Sequence, residues 1–175
     1  MNIEDDDFTL FGLPERFALD STQLDQRRRE LQAATHPDRF AAQGTAAQRI
    51  AMQWSVRVNQ AHQRLKDPLK RAAYLCERRG APVDAERNTA MPREFLMQQM
   101  EWREALDEAG DEAAVQALAD RVERHEHALL AEVEQQIDAR SDMAAAAAQV
   151  RALMFVARFR QDIDQRLEAL EQKTP

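Results

Sequence analysis

Residues 20–68 read DSTQLDQRRRELQAATHPDRFAAQGTAAQRIAMQWSVRVNQAHQRLKDP, and this stretch decides the fold. Asp20 with Gln23 resembles a capping box and predicts a helix over about 20–35, on which Leu24 and Leu31 share one face. Pro37 ends that helix, because its ring blocks the backbone geometry that His36 would need to continue it. A loop follows over about 36–44. Ala47, Ile50, Trp54, Val58, Ala61 and Leu65 then step by three or four, the stripe of a second helix over about 45–66. Asp67-Pro68 places an N-cap before a proline in the first helical position, which opens a third, shorter helix ending near Gly80. The result is a helical hairpin whose turn carries His36-Pro37-Asp38.

Outward from this hairpin the chain stays helical. FTLFGL at 8–13 is a short apolar patch before Pro14, read as one or two turns. Residues 80–92, GAPVDAERNTAMP, carry no stripe and two prolines. Three further helices are predicted over about 92–109, 112–138 and 142–172, with Ser141 as N-cap of the last. Their stripes are Phe95, Trp102, Leu106 and Ala109; Val115, Leu118, Val122, Leu129, Val133 and Ile137; and Val150, Leu153, Val156, Ile163, Leu167 and Leu170. Three long helices with short connections bury such stripes against each other as a bundle. The expected fold is therefore all-α, with an N-terminal hairpin domain over 1–80, a linker over 81–91 and a three-helix bundle over 92–175.

Composition agrees. The chain has 175 residues, only 4 glycines and 6 prolines, too few turn formers for a sandwich or barrel. Its net charge is −7, yet residues 21–80 hold 12 Lys/Arg against 5 Asp/Glu. An acidic chain with one basic segment argues against nucleic acid as a partner and for two modules with different partners. No apolar run approaches the roughly 20 residues that span a bilayer, so no membrane association is expected. One cysteine, Cys76, excludes an internal disulfide and a multi-cysteine metal site within the chain, and a reducing, cytoplasmic compartment is the expectation.

The segments FTLFGLP at 8–14, LQAATHPDRF at 31–40 and VNQAHQRLKDPLKRAAYL at 58–75 resemble a J-domain. With FLMQQMEWREALDE at 95–108, the chain over residues 8–172 resembles the HscB-type co-chaperones of iron–sulfur cluster assembly, the DnaJ-like type III group. The resemblance implies a non-enzymatic adaptor without cofactor. Its J-domain would stimulate the ATPase of a DnaK-type chaperone, HscA, and its bundle would hold the scaffold protein IscU. The alternative is a general J-domain protein serving a different client. An enzyme using His36 and Asp38 as an acid–base pair is disfavoured, since no third catalytic group or substrate-positioning motif accompanies them. Arg39 stands where many J-domains have Lys, which keeps the charge. The Gly/Phe-rich and zinc-ribbon regions of the large DnaJ proteins and the paired N-terminal cysteines of the eukaryotic relatives are absent from the sequence, so no metal is assigned.

Two surfaces are therefore expected. On the hairpin, His36, Pro37 and Asp38 form a rigid docking knob, and Arg27, Arg28, Arg29 and Arg39 steer an acidic partner in a salt-dependent way. On the helix at 92–109, Leu96, Met97 and Met100 fall at roughly 100°, 200° and 140° from Phe95 and so point away from the core stripe. Glu101, Glu104 and Glu108 lie on or beside that outer surface, and an apolar patch ringed by acids reads as a binding site. Phe155 projects roughly 100° off its own stripe and, exposed, would extend the patch. The resemblance places Leu96, Met97, Met100, Glu101, Glu104 and Phe155 where HscB proteins contact the scaffold. Other features are expected to be structural. Asp5-Asp6-Asp7 reads as a solvated end, His62 as a helix-edge residue without a partner, His125 as a neutral ring at the core edge and Cys76 as a partly buried small residue.

Overall fold

The computed structural model describes residues 2–36, 38, 39, 43–85 and 91–172, and among these it is helical with no strand. The helices are α1 (Asp7–Phe11), α2 (Ser21–Thr35), α3 (Thr45–Lys66), α4 (Pro68–Arg78), α5 (Arg93–Glu108), α6 (Glu112–Glu134) and α7 (Met143–Glu171). The chain divides into two compact units, Met1–Leu75 and Cys76–Pro175. The division falls inside α4, because the residues after it belong with the bundle: Arg79 donates to the Ile137 carbonyl at 3.2 Å and Arg151 to that of Val83 at 3.0 Å.

In the first unit α2 and α3 pack as an antiparallel pair with α1 against them, burying Phe8, Phe11, Leu24, Leu31, Val58, Ala61 and Leu65. Each of these side chains other than Ala61 contributes about 1.5–3 kcal/mol relative to exposure. The caps follow the sequence. Asp20 accepts from the amides of Thr22 and Gln23, and Asp67 from those of Leu69 and Lys70. The stripe of α3 is not buried to its start, however: Ala47 is half-buried, Ile50 is 56% exposed, and the first fully buried member of the helix is Ala51.

The acidic start of the chain is not a solvated end. Asp6 caps α1, accepting from the amides of Phe8 and Thr9. Asp7 is fully buried; Arg57 of α3 donates to its Oδ1 at 2.7 Å and Arg64 lies 3.2 Å from its Oδ2. Arg57 also donates to the carbonyls of Ile3 and Asp5. Three adjacent aspartates look alike in sequence, but only Asp7 meets two guanidiniums spaced one heptad apart on α3. Removing one partner of a buried pair strands the other, though Arg57 keeps some solvent. Asp7→Asn is therefore expected to destabilise the first unit by about 2–3 kcal/mol, read as faster hydrogen exchange at Val58 and Leu65.

In the second unit α6 and α7 form the larger contact, burying Val115, Leu118, Val122, Leu129, Val133, Val150, Leu153, Val156 and Ile163. Leu106, Leu167 and Leu170 are only half-buried. α6 does not end as one regular helix: Gln135–Arg140 widens into a π-helical turn. Ser141, expected as the N-cap of α7, instead closes that turn in a left-handed conformation (φ 54°). Asp142 is the cap, accepting from the Ala145 amide at 3.0 Å. The π turn adds a residue to the connection and moves the capping position one place along the chain.

Candidate functional site

The hairpin turn is built by the end of α2. His36 is its C-cap in extended geometry, and its Nδ1 accepts from the Asp38 amide at 3.3 Å. The same Nδ1 lies 3.6 Å from the Asp38 carboxylate, whose side chain is 90% exposed. The carboxylate is thus held outward and available to a cationic partner. Pro37 lies outside the described residues.

The four arginines expected to steer a partner divide. Arg27 is used by the fold: its Nε donates to the Phe11 carbonyl at 2.7 Å and its Nη1 pairs with Glu30 at 2.6 Å. It closes the end of α1, where Gly12 adopts φ 62° and where a Cβ would meet the Arg27 guanidinium at 3.1 Å. Arg39 donates to the Ala33 carbonyl at 2.9 Å, satisfying a free acceptor of the last turn of α2. Arg29 is exposed. Arg28 is half-buried with its Nε unpartnered, and it lines a groove with Asn59, His62, Gln63, Lys66, Asp67 and Lys70. Lys66 and Lys70 were missed by the sequence reading. They lie far along the chain from the arginine run, and it is the fold that brings the end of α3 and the start of α4 alongside Arg28.

His62, expected to lack a partner, has one. Its Nε2 lies 2.7 Å from Asp25 of α2 and its ring stacks on Phe11 at 6.4 Å. The hydrogen bond to His62 is the first cause that holds the Asp25 carboxyl below its usual range, with Lys66 adding to it. Nothing local marked this pair, because its members are 37 positions apart.

On the second unit α5 presents two faces. Phe95 and Trp102 are buried, whereas Leu96, Met97 and Met100 are 45%, 61% and 73% exposed. Glu101, Glu104 and Glu108 are all exposed. Phe155 differs from expectation: it is half-buried, meets Phe95 edge-on at 5.7 Å and stacks on Phe159 at 6.0 Å, with the Arg103 guanidinium 5.5 Å from its ring. Being off its own stripe did not expose it, because α5 supplies the ring that covers it. His125 sits at the core edge as expected, stacked on Phe95 at 5.7 Å, and burial lowers its pKa. Cys76 is buried more deeply than expected, and burial pushes its thiol up to about 11, which removes thiolate reactivity near neutral pH.

The fold, a helical hairpin followed by a helical bundle, is shared with known proteins. A family model described as the HSCB C-terminal oligomerisation domain matches residues 91–164. A co-chaperone protein HscB homolog of Burkholderia thailandensis is 48% identical over 174 residues, covering 98% of this chain and 99% of the relative. The chain belongs to the HscB co-chaperone family. The homolog of Bordetella avium is 48% identical over 160 residues, 91% of this chain and 95% of that one. The chaperone HscB from Vibrio cholerae superposes with a TM-score of 0.86 at 38% identity, over 94% of this chain and 99% of the other. Human co-chaperone HscB gives 0.87 at 25% identity, over 95% and 84%. As an HscB family member the chain is a J-domain co-chaperone of iron–sulfur cluster assembly. Among the described residues no helix is long and apolar enough to cross a membrane.

Proposed function

We propose that this co-chaperone acts as an adaptor between a DnaK-type ATPase of the HscA kind and an iron–sulfur scaffold of the IscU kind. The outward patch of Leu96, Met97 and Met100, ringed by Glu101, Glu104 and Glu108, carries this reading. Three large apolar side chains on the solvent face of a helix whose other face buries Phe95 and Trp102 serve no folding purpose. Methionines suit a surface that must hold a partner and release it. Phe155 packs on Phe95 and thereby helps to seat the helix that carries the patch.

The hairpin supplies the other contact. His36, Pro37 and Asp38 dock on the ATPase, and Arg28 and Arg29, joined by Lys66 and Lys70 along the groove, attract its acidic surface. Arg27 and Arg39 contribute charge while holding α1 and the end of α2 in place. Hydrolysis belongs to the chaperone, and docking shifts that chaperone toward its hydrolysing state. Carrying both sites on one chain raises the effective concentration of scaffold at the ATPase. The reading accords with a protein that works without a cofactor, away from membranes, in the cytoplasm.

The test is ATP hydrolysis as ionic strength rises. The protein alone is expected to hydrolyse no ATP. With the chaperone present, half-maximal stimulation should need several-fold more protein at 0.5 M than at 0.05 M salt, because screening shortens the reach of the arginines and lysines. Arg28→Ala should flatten that dependence. Turnover by the isolated protein, or salt-independent stimulation, would rule the reading out.

A further inference from the structure

Two rings of α5, Phe95 and Trp102, are buried against the rest of its unit. Phe95 contacts His125 of α6 and Phe155 of α7; Trp102 contacts the same His125, edge-on at 5.1 Å, and stacks on Phe159 of α7 at 5.8 Å. Both buried rings of α5 therefore touch His125 of α6. Its Nε2 is buried and, among the described residues, has no hydrogen-bond partner.

We infer that neutral His125 clamps α5 onto the bundle, and that protonating it loosens α5 and the exposed patch α5 carries. The chemistry is a matter of hydration. A neutral imidazole stacks on Phe95 as an aromatic ring does. An imidazolium would need two acceptors for its two N–H groups, and Nε2 has none. The charged side chains around it are Arg121, one turn earlier on α6; Arg103 of α5, lying over Phe155; Arg158 and Asp162 beyond Phe155 on α7; and the Glu126–Arg160 pair, which is already mutually satisfied at 2.5 Å. Glu126, the carboxylate next to His125 in the chain, is already held by Arg160, and the Arg103 cation lies over the adjoining Phe155 ring, so neither offsets a positive charge on the imidazole. Cation–π attraction to Phe95 recovers only part of the hydration lost.

The direction of the pH dependence follows. Burial holds the His125 pKa below its ordinary value. The folded unit therefore binds fewer protons at this ring than the opened one does. The stability the clamp contributes is full above about pH 6.5, the ordinary imidazole value, and is lost as pH falls through that value toward the folded one.

The consequence for scaffold binding rests on the adaptor reading; the clamp itself does not. Hydrogen exchange of the α5 amides, corrected for the intrinsic pH dependence of exchange, should be measured on the full chain from pH 7.5 to 5. In the wild type the opening constant should rise as pH falls, by up to about tenfold per pH unit. In His125→Phe it should stay flat. Unchanged α5 protection in the wild type over that range, or the same rise in the variant, would overturn the clamp. Should the variant not fold, the imidazole proton resonance of wild-type His125 serves instead: it must titrate below pH 6.5 in step with α5 opening, and a normal or higher midpoint contradicts the inference. Calorimetric binding of an IscU-type scaffold separates the two readings. Wild-type affinity falling with α5 opening, and steadier affinity in His125→Phe, supports both. Opening without any loss of affinity leaves the clamp standing and counts against the patch as the scaffold site.

Discussion

Asp38→Asn is expected to abolish stimulation of the DnaK-type ATPase while leaving the fold intact. The side chain is 90% exposed, and its one close contact among the described residues is with His36, itself 58% exposed. The turn is held by the backbone amide of residue 38 donating to His36 Nδ1, and the substitution keeps that amide. Stability should therefore change by less than about 0.5 kcal/mol, as at other exposed sites. Docking is different. A carboxylate that becomes desolvated against a cationic partner contributes through a charge-assisted hydrogen bond, and truncating one side of such a pair costs roughly 2–5 kcal/mol. That corresponds to a loss of at least about 30-fold in coupling. Steady-state hydrolysis at saturating chaperone, beside a thermal unfolding curve of the variant, measures both quantities.

The second large effect lies on α5. Leu96→Ala, Met97→Ala and Met100→Ala together are expected to weaken scaffold binding by at least about 150-fold, since truncating a few central apolar contacts removes roughly 1–2 kcal/mol each. Alanine keeps helix propensity, and none of the three is part of the core, so the bundle should unfold at the same temperature. Phe155→Ala is not an equivalent probe. That ring packs on Phe95 and Phe159, and its removal should lower bundle stability by about 2–3 kcal/mol together with any effect on binding. Calorimetry of the triple variant against the scaffold, with circular dichroism as the control for folding, distinguishes contact from collapse.

Local patterns were legible where one helix alone determined the outcome. The 3.6-residue stripe located α2, α3, α5, α6 and α7. The angular offset of Leu96, Met97 and Met100 from Phe95 was enough to place them on the outside. Asp20 and Asp67 were readable as caps because a cap needs only its own next three residues. The failures share one cause, which is that the partner comes from a distant element. Asp7 is buried because α3 offers Arg57 and Arg64, and His62 is paired because α2 offers Asp25. Phe155 is covered because α5 lays Phe95 across it. Arg27 reads as one of a charge run until the turn at Gly12 brings the Phe11 carbonyl to its Nε. The π turn before Ser141 has no local signature of its own.

The patch and the turn are on different units, so the central claim is one of coupling. The direct test is steady-state ATP hydrolysis by the cognate DnaK-type chaperone with this protein, with the scaffold, and with both. Four versions of the protein should be compared: wild type, Asp38→Asn, the α5 triple alanine variant and their combination. The account predicts stimulation by the wild type that the scaffold amplifies further. It predicts that the triple variant keeps the basal stimulation and loses only the amplification, and that Asp38→Asn loses both. Amplification of equal size in the wild type and the triple variant would contradict it, because the scaffold would then be reaching the ATPase without the surface on α5.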